Sequence, residues 1–427
     1  MRRVILCLVA FAACRDLRAL SVLTHEAIID STWADGIRPL LLKRFPNATH
    51  DELRAAHAYA YGGCIIQDMG YYPFGSRFFT DLAHYVRSGD FVMNLLAEAQ
   101  DLNEYSFALG SLAHYAADND GHAIGVNPAV GLEYPKLRKK FGPIVTYADD
   151  RTSHLRVEFS FDVQQVAIGN YAADAYHDFI GFEVAKPVLE RAFLDTYGLE
   201  MDDIFRSQDL AIGMYRYTVS GIIPEMTQAA WKAHKDELIR ADPKMTRKRF
   251  VYAISRAKYH KEWGEHEPGF GTRLLVVVLR VLPKVGPLKV ASFKPPPPAA
   301  TADFERSVVD AVEAYRRLLA ESVKTGFGLP NRDFDTGKPT EGGEYRLADN
   351  AYSELAIRLA KLDPSQVNPQ VRANVLNFYS DQERPFETKR HPSNGNRRYR
   401  PCSACGPVGR QQAQPNGARS RIPGSEA

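Results

Sequence analysis

Cysteine is scarce in this sequence, with 5 among 427 residues. Cys7 and Cys14 lie in the apolar N-terminal run, and Cys64 lies in an apolar GGCII context. Cys402 and Cys405 form a lone CxxC, which without a second pair does not predict a structural zinc site. We therefore expect no packed part of the chain to depend on a disulfide, and we expect Cys64 to be a core residue.

Hydrophobic runs long enough to span a membrane are also lacking. The N-terminal run VILCLVAFAAC has 11 residues, and LLVVVLRVL is interrupted by Arg280. The first run follows MRR and precedes LRA, which ends at Ala19, and this pattern is typical of a signal peptide. We expect removal of residues 1–19 and export to the periplasm or the medium. The alternatives are a mis-assigned start with a buried first helix, and lipid attachment at Cys14.

An excess of one charge sign is missing as well. The formal net charge is +3, and the positive excess collects after residue 385, in KRHPSNGNRRYRP and GARSRI. The rest of the chain is close to neutral, so the composition does not predict a salt-sensitive phosphate-binding face. Nucleic acid is therefore the less expected partner. The sequence says nothing about the oligomeric state.

Strand-like alternation is scarce, and apolar residues between 25 and 235 recur at three- and four-residue steps. Thr49 and Glu52 form a capping-box pattern before THDELRAAHAYAYGGCII becomes helical. DFVMNLLAEAQDL and EYSFALGSLAHYAAD predict consecutive helices, Ser153 is a candidate N-cap, and VAKPVLERAFLDTYG predicts a helix up to Gly198. The sequence therefore predicts an all-α fold, a single large multi-helix domain with a helical C-terminal extension and a disordered tail.

Changes in composition divide the chain further. We expect a signal peptide at 1–19, a helical domain at 20–240, a connector with an apolar and basic stretch and a Pro-rich spacer at 241–300, a helical extension at 301–384, and a disordered basic tail at 385–427. The four prolines at 295–298 predict an extended spacer. The next helix should bury Phe304, Val308, Val312, Tyr315 and Leu319 on one face.

The segment ALGSLAHYAADNDGHAIGVN carries the first candidate site. His114, Asp118 and His122 are four residues apart, so they share one face of an Ala-rich helix. His154 and Glu158 repeat the spacing in SHLRVEFS. One such pair is usually a salt bridge or a satisfied core histidine. Two pairs in neighbouring helices, in a setting where unpaired charge is costly, favour a metal site.

Three more residues can join this set, namely His25 in THEAIID, Asp68 in a Gly- and Tyr-rich loop, and His84 on the next helix. Together these side chains would suffice for two or three metal ions. The Glu-x-x-His pairs of a di-iron bundle do not occur among them. The complete set of candidate ligands is His25, Asp68, His84, His114, Asp118, His122, His154 and Glu158.

With these motifs the chain resembles the zinc-dependent phospholipase C and single-strand nuclease superfamily, in particular its bacterial zinc-dependent phospholipase C-like branch. The resemblance rests on His25 in SVLTHEAIID, on the segment from Asp68 to His84, and on the HYAAD and HLRVE units, and it covers about residues 20–190. It implies an exported, all-helical protein with a cluster of two to three zinc ions.

The resemblance also implies which residues bind each ion. The first set is Asp68, His84, His114 and Asp118; the second is His122, His154 and Glu158; the third is His25, a bridging Asp118, and the amino group and carbonyl of the mature first residue, Leu20. Two departures stand out. Members usually begin with Trp, and the better-known ones place the counterpart of His122 further along the chain. Asp120 is an alternative ligand to His122.

Clustered zinc ions suit phosphodiester hydrolysis, because they lower the pKa of water and polarise the phosphoryl oxygen. We expect a zinc-bound hydroxide as nucleophile, with Asp68 orienting it or acting as base. The expected activity is that of a phospholipase C on phospholipid or a small phosphodiester. The alternatives are a single-strand nuclease and a non-catalytic, zinc-stabilised helical binding protein.

Two apolar features bear on the substrate. The aromatic run Tyr71, Tyr72, Phe74, Phe78 and Phe79 lies between Asp68 and His84, and it forms either a pocket rim or part of the core. The stretch 273–294 is apolar and basic, as expected for a peripheral membrane contact or for a buried connector.

Overall fold

The structure, a computed structural model, describes residues 22–168, 182–219, 235–236, 239 and 296–381. The expected signal peptide, Leu20, most of the connector and the tail lie outside these residues. The predicted all-α class is confirmed. Within the described ranges the chain is helical without a β-strand, and only an isolated bridge joins Arg332 and Pro339.

The helices are numbered here in chain order. They are α1 Val22–Thr32, α2 Arg38–Arg44, α3 His50–Gly63, α4 Arg77–Tyr85, α5 Ser88–Glu98, α6 Leu102–Asp120, α7 Asn127–Glu133, α8 Pro135–Phe141, α9 Arg151–Ile168, α10 Lys186–Tyr197, α11 Gln208–Tyr217, α12 Pro298–Glu321, α13 Arg346–Leu359 and α14 Pro369–Phe378. The described residues also contain the π-helical segments Trp33–Ile37 and Gly121–Val126 and the 3₁₀ turns Ile66–Tyr71 and Met201–Asp203.

The helix ends follow the local sequence with one correction. The predicted capping box forms, since the Thr49 hydroxyl accepts from Glu52 N at 3.3 Å and the Glu52 carboxylate accepts from Thr49 N at 2.8 Å. α10 ends at Gly198 with φ +67°, as predicted. Ser153 is not the cap of α9, because its own N–H donates to Asp150 Oδ1 at 2.8 Å. The first turn therefore starts earlier, and Asp150 caps it.

The core is centred on α6, whose backbone lies very close to that of α3. A Cβ on Gly110 would lie 2.2 Å from Ala60 O, and one on Gly63 would lie 2.0 Å from Phe107 O. Only glycine allows this approach without a clash. The close packing fixes the polar face of α6 against the turn that follows α3, and this turn carries Asp68.

The C-terminal helices pack on the same core. The Tyr315 hydroxyl of α12 donates to Leu109 O at 2.8 Å, and Phe304, Tyr315 and Leu319 are buried as predicted. The prediction was wrong for Val308 and Val312, which are only partly buried. The expected extended spacer holds only in part. Pro297 is extended with ψ 151°, whereas Pro298 already begins α12. Proline suits a first helical turn because its missing N–H has no partner there. The boundary proposed near residue 300 stays a prediction.

None of the described helices has the length and apolar character that crossing a membrane requires.

The start of α1 depends on a buried carboxylate of α9. Asp162 accepts from the N–H groups of Leu23 and Thr24, each at 3.2 Å, and from the Thr24 hydroxyl at 2.7 Å. We expect Asp162→Ala to lower the free energy of unfolding by about 2 kcal/mol, at the upper end for a cap, because buried donors lose their acceptor. Thr49→Ala, at an exposed cap, should lower the free energy of unfolding by only about 0.5 kcal/mol. Denaturant unfolding measures both variants, and equal losses would contradict this account.

Candidate metal centre

The predicted ligands meet around one cavity, although they come from six separate elements. α1 supplies His25, the turn Ile66–Tyr71 supplies Asp68, α4 supplies His84, α6 supplies His114 and Asp118, the π segment Gly121–Val126 supplies His122, and α9 supplies His154 and Glu158. His114 lies behind the cavity wall and is fully buried, whereas the other seven line the cavity. Further lining residues are Tyr71, Tyr85, Tyr147, Leu155 and Asp335.

The first group contains Asp68, His84 and His114. His84 Nε2 lies 3.2 Å from Asp68 Oδ1 and 3.5 Å from Asp118 Oδ2, and His114 Nε2 lies 3.0 Å from the same Asp118 oxygen. These are the four residues expected to bind the first ion. One ligand atom from each of Asp68, His84 and His114 lies within 4.8 Å of the others.

The second group contains His122, His154 and Glu158. Glu158 Oε1 lies 3.0 Å from His122 Nε2 and 3.1 Å from His154 Nε2. The rings of His122 and His154 meet edge to face, with centroids 5.1 Å apart. The structure therefore brings together the three residues expected to bind the second ion.

The third group contains His25, His114 and Asp118. His25 Nε2 lies 3.2 Å from Asp118 Oδ1, and the rings of His25 and His114 stack with centroids 4.6 Å apart. Asp118 thus presents one oxygen to His25 and the other to His84 and His114. The expected backbone ligand, Leu20, lies outside the described residues, so its role stays a prediction.

The spacing of the donor atoms suits zinc. In a tetrahedral site with bonds of about 2.0–2.1 Å, neighbouring ligand atoms lie about 3.3 Å apart. Six imidazole–carboxylate pairs among the ligands lie 3.0–3.5 Å apart, and His122 Nε2 lies 3.9 Å from Asp118 Oδ1. Nitrogen and carboxylate oxygen are also the ligand types that zinc accepts in proteins.

Two histidines are oriented by backbone carbonyls behind them. His84 Nδ1 donates to Thr80 O and His114 Nδ1 donates to Cys64 O, each at 2.9 Å. A carbonyl only accepts, so both rings carry hydrogen on Nδ1 and direct Nε2 at the cluster. Zinc-binding histidines in proteins are commonly held in this way.

The carboxylates control the charge of the centre. Burial would raise the pKa of Asp118, but His114 and His122 hold it well below its usual range. Burial would also raise the pKa of Glu158, but His154 and His122 lower it to about 2. Both groups are therefore ionised at neutral pH, and the site presents anionic oxygens to a cation.

Zinc binding is expected to release about two protons per chain at pH 8, because ligand imidazoles must lose a proton. Burial would lower the pKa of His84, but Asp118 and Asp68 raise it to about 10. Asp118 and Glu158 likewise raise the pKa of His122 to about 10 against the effect of burial. Calorimetry in buffers of different ionisation enthalpy measures the release, and zinc uptake without proton release would contradict it.

The same pKa values fix the pH dependence of the metal-free fold. The pKa values of His84 and His122 are raised from the ordinary 6.5 to about 10. Their protonated rings therefore contribute their full stabilisation of the folded state below pH 6.5. This contribution is lost as the pH rises through 10. The unfolding temperature of the chelated protein should therefore fall over that range.

His122 does not lie on a regular continuation of α6, which ends at Asp120. The chain passes into the π-helical segment Gly121–Val126, which widens the turn and carries His122 toward Glu158. Such π segments often occur at functional sites. Asp120, the alternative ligand, belongs to none of the three groups; it is half-buried, and its charged neighbours are Asp310, Arg317 and Arg332.

The aromatic run forms core more than rim. Tyr72 and Phe79 are buried in the main core, and the ring of Phe78 lies 4.8 Å from the guanidinium of Arg358. Only Tyr71 of the five lines the cavity. Its ring lies 5.9 Å from that of Tyr147, which also lines the cavity.

The sequence analysis missed four residues that line the cavity, namely Tyr85, Tyr147, Leu155 and Asp335. Asp335 lies in NRDFDTGKP, where an acidic residue beside Gly and Pro reads as an ordinary turn. Nothing in that pattern indicates that the turn reaches a site built from residues 25–158. Tyr147 carried no spacing signal either.

Comparison with known proteins gave one result. The family model for zinc dependent phospholipase C matches residues 24–206, a range that includes all eight described ligand candidates. No curated protein and no solved structure matched the chain. Over residues 24–206, this match supports the resemblance to the zinc-dependent phospholipase C family that the sequence motifs indicate.

Proposed function

We propose that this protein hydrolyses phosphodiester bonds with two to three zinc ions, in the manner of a phospholipase C. The observation that carries the proposal is the position of Asp118. Its two oxygens face His25 on one side and His84 and His114 on the other, 3.0–3.5 Å away. A carboxylate shared in this way is suited to bridging neighbouring ions, which a single structural zinc would not require.

The residues fit zinc chemistry, and their own roles follow from their placement. Zinc held by the three groups would supply Lewis-acid stabilisation of the phosphoryl oxygens and a lowered pKa for water. Asp68 lines the cavity wall with its carboxylate 3.2 Å from His84 Nε2, where it can orient a water molecule or accept its proton. Tyr71, Tyr85 and Tyr147 add aromatic surface to the cavity lining.

The cavity favours a phospholipid or a small phosphodiester over a nucleic-acid strand. Neither Lys nor Arg is among the described residues that line it, whereas Tyr71, Tyr85 and Tyr147 are. A nucleic-acid site normally follows a charged backbone with several cations. Without Lys or Arg among its described lining residues, the cavity suits a single phosphodiester more than a charged strand.

The test is hydrolysis by zinc-loaded protein of three substrates, namely a chromogenic phosphocholine diester, phospholipid vesicles and single-stranded DNA. We expect turnover on the first two and its loss in His114→Ala. Turnover on DNA alone would favour the nuclease. Bound zinc without turnover on any of the three would favour the non-catalytic binding protein.

Export is part of the proposal. Removal of residues 1–19 would leave the amino group of Leu20 only two residues before Val22, where α1 begins. Two residues span about 7 Å at most, so the new amino group would remain near His25. N-terminal sequencing of the protein recovered from the periplasm or the medium tests this step, and an intact Met1 would contradict it.

A further inference from the structure

We infer that Asp335, from the C-terminal extension, is a positioning residue that orients His122 for metal binding. The inference rests on the proposed function, because it concerns the ion held by His122, His154 and Glu158. Asp335 lies far outside the range matched by the family model, residues 24–206. The centre would therefore be completed by a part of the chain that the family match does not include.

The geometry places Asp335 behind the His122 ring. Asp335 Oδ1 lies 3.8 Å from His122 Nδ1, while Nε2 of the same ring lies 3.0 Å from Glu158. Asp335 is almost fully buried, with 1% of its surface exposed. Neither His122 Nδ1 nor Asp335 Oδ1 has a hydrogen-bond partner among the described residues. Two buried polar atoms that face each other are each other's available partner.

The other oxygen of Asp335 is held firmly. Oδ2 accepts from Tyr147 N at 3.0 Å and from the Tyr345 hydroxyl. Two donors on one oxygen leave the other free to accept from His122. Asp335 would then do for His122 what the Thr80 and Cys64 carbonyls do for His84 and His114.

The loop that carries Asp335, residues 330–340, is anchored beside the centre and is called here the site loop. Phe334 N donates to His84 O at 3.2 Å, and the Phe334 and His84 rings meet edge to face with centroids 5.4 Å apart. Asn127 Nδ2 donates to Asp335 O at 2.7 Å. A Cβ on Gly337, which has φ +70°, would lie 2.4 Å from Asn119 O. These contacts hold the whole site loop in a single position beside the centre.

Asp335→Asn separates positioning from packing. The amide oxygen can take the place of Oδ2 and accept from Tyr147 and Tyr345, which turns the amide NH₂ toward His122 Nδ1. That contact favours hydrogen on Nε2, and a protonated Nε2 cannot bind a metal ion. We expect zinc affinity at this group to fall about 10–100-fold. Asp335→Ala should lower this zinc affinity no more than Asp335→Asn does. If Asp335 acted only through packing, the alanine variant would lose more affinity than the asparagine variant.

The control is Asp333→Asn. Asp333 lies in the same loop and is equally buried, but its carboxylate closes the turn by accepting from Asp335 N and Thr336 N at 3.0 and 2.9 Å. Asparagine can accept in the same place, so the zinc affinity of this variant should equal that of the wild type.

The experiment is competition for zinc with a chelator, together with the visible spectrum of the Co²⁺-loaded protein. The zinc-binding step that is lost in His122→Ala is the step that belongs to the group of His122, His154 and Glu158. We expect Asp335→Asn to weaken that step alone, to change the Co²⁺ spectrum, and to add nothing in the His122→Ala background. If Asp335→Asn fails to fold by circular dichroism, Tyr345→Phe replaces it and should weaken the same step several-fold.

Wild-type protein that binds no zinc would contradict the proposed function, and the inference falls with it. Wild-type protein that binds zinc, with an affinity unchanged by Asp335→Asn or lowered equally by Asp333→Asn, would overturn the inference alone. If Tyr345→Phe is used in place of Asp335→Asn, an unchanged zinc affinity in that variant would likewise overturn the inference alone.

Discussion

Asp118→Asn is expected to abolish most zinc binding and to lower phosphodiester hydrolysis about 1000-fold. The metal contribution to transition-state stabilisation is worth several kcal/mol, and each 1.36 kcal/mol is a factor of ten in rate. Asp118 faces His25, His84 and His114, with 3.0–3.5 Å between the closest atoms. An amide keeps the size of the side chain but removes the negative charge that the two neighbouring groups share.

The matched control is Asp120→Asn, two residues further along the chain. Asp120 ends α6 and belongs to none of the three ligand groups. Its substitution should leave zinc content and hydrolysis close to wild type. Elemental analysis and initial rates measure both variants. Equal zinc content in the wild type and Asp118→Asn would show that Asp118 does not hold the ions together.

Removal of zinc is expected to lower the unfolding temperature by about 5–10 °C for each ion lost. A ligand at 100 times its Kd stabilises the folded state by about 2.7 kcal/mol, and 1 kcal/mol shifts the unfolding temperature of a 150–250-residue domain by about 2–4 °C. The effect should be large here because the ligands join α1, α4, α6 and α9. Without metal, several buried carboxylates and imidazoles are balanced only by one another.

Calorimetry of the protein before and after dialysis against a chelator measures this shift. Added zinc should restore the original unfolding temperature, and added calcium should not, because calcium prefers sites made wholly of oxygen ligands. His114→Ala should unfold near the temperature of the chelated protein and should gain little from zinc. An unfolding temperature independent of zinc would contradict a metal site that links four helices.

Local sequence signals predicted much of the fold and most of the candidate site. The capping box at Thr49 and the end of α10 at Gly198 depend on neighbouring residues, so the sequence is sufficient to predict them. The four-residue spacing of His114 and Asp118 places both side chains on one helix face, and the structure does so. The bends that bring separate helices together have no such local signature.

The parts that were missed depend on contacts between distant segments. Asp335 reaches His122 across more than 200 residues of sequence, and a Gly- and Pro-containing turn gives no sign of its destination. The π-helical segment after Asp120 also could not be predicted, because its backbone follows from the packing of α12 and α7 against it. Long-range packing, unlike helix periodicity, is not encoded in a short window of residues.

The most direct test of the zinc centre is X-ray diffraction from crystals of the zinc-loaded protein, recorded above and below the zinc absorption edge. We expect two to three anomalous peaks, at least one beside Asp118 and another among His122, His154 and Glu158. Each peak should disappear below the edge. A zinc-loaded crystal with no peak at Asp118, or with zinc only at surface residues, would contradict the account.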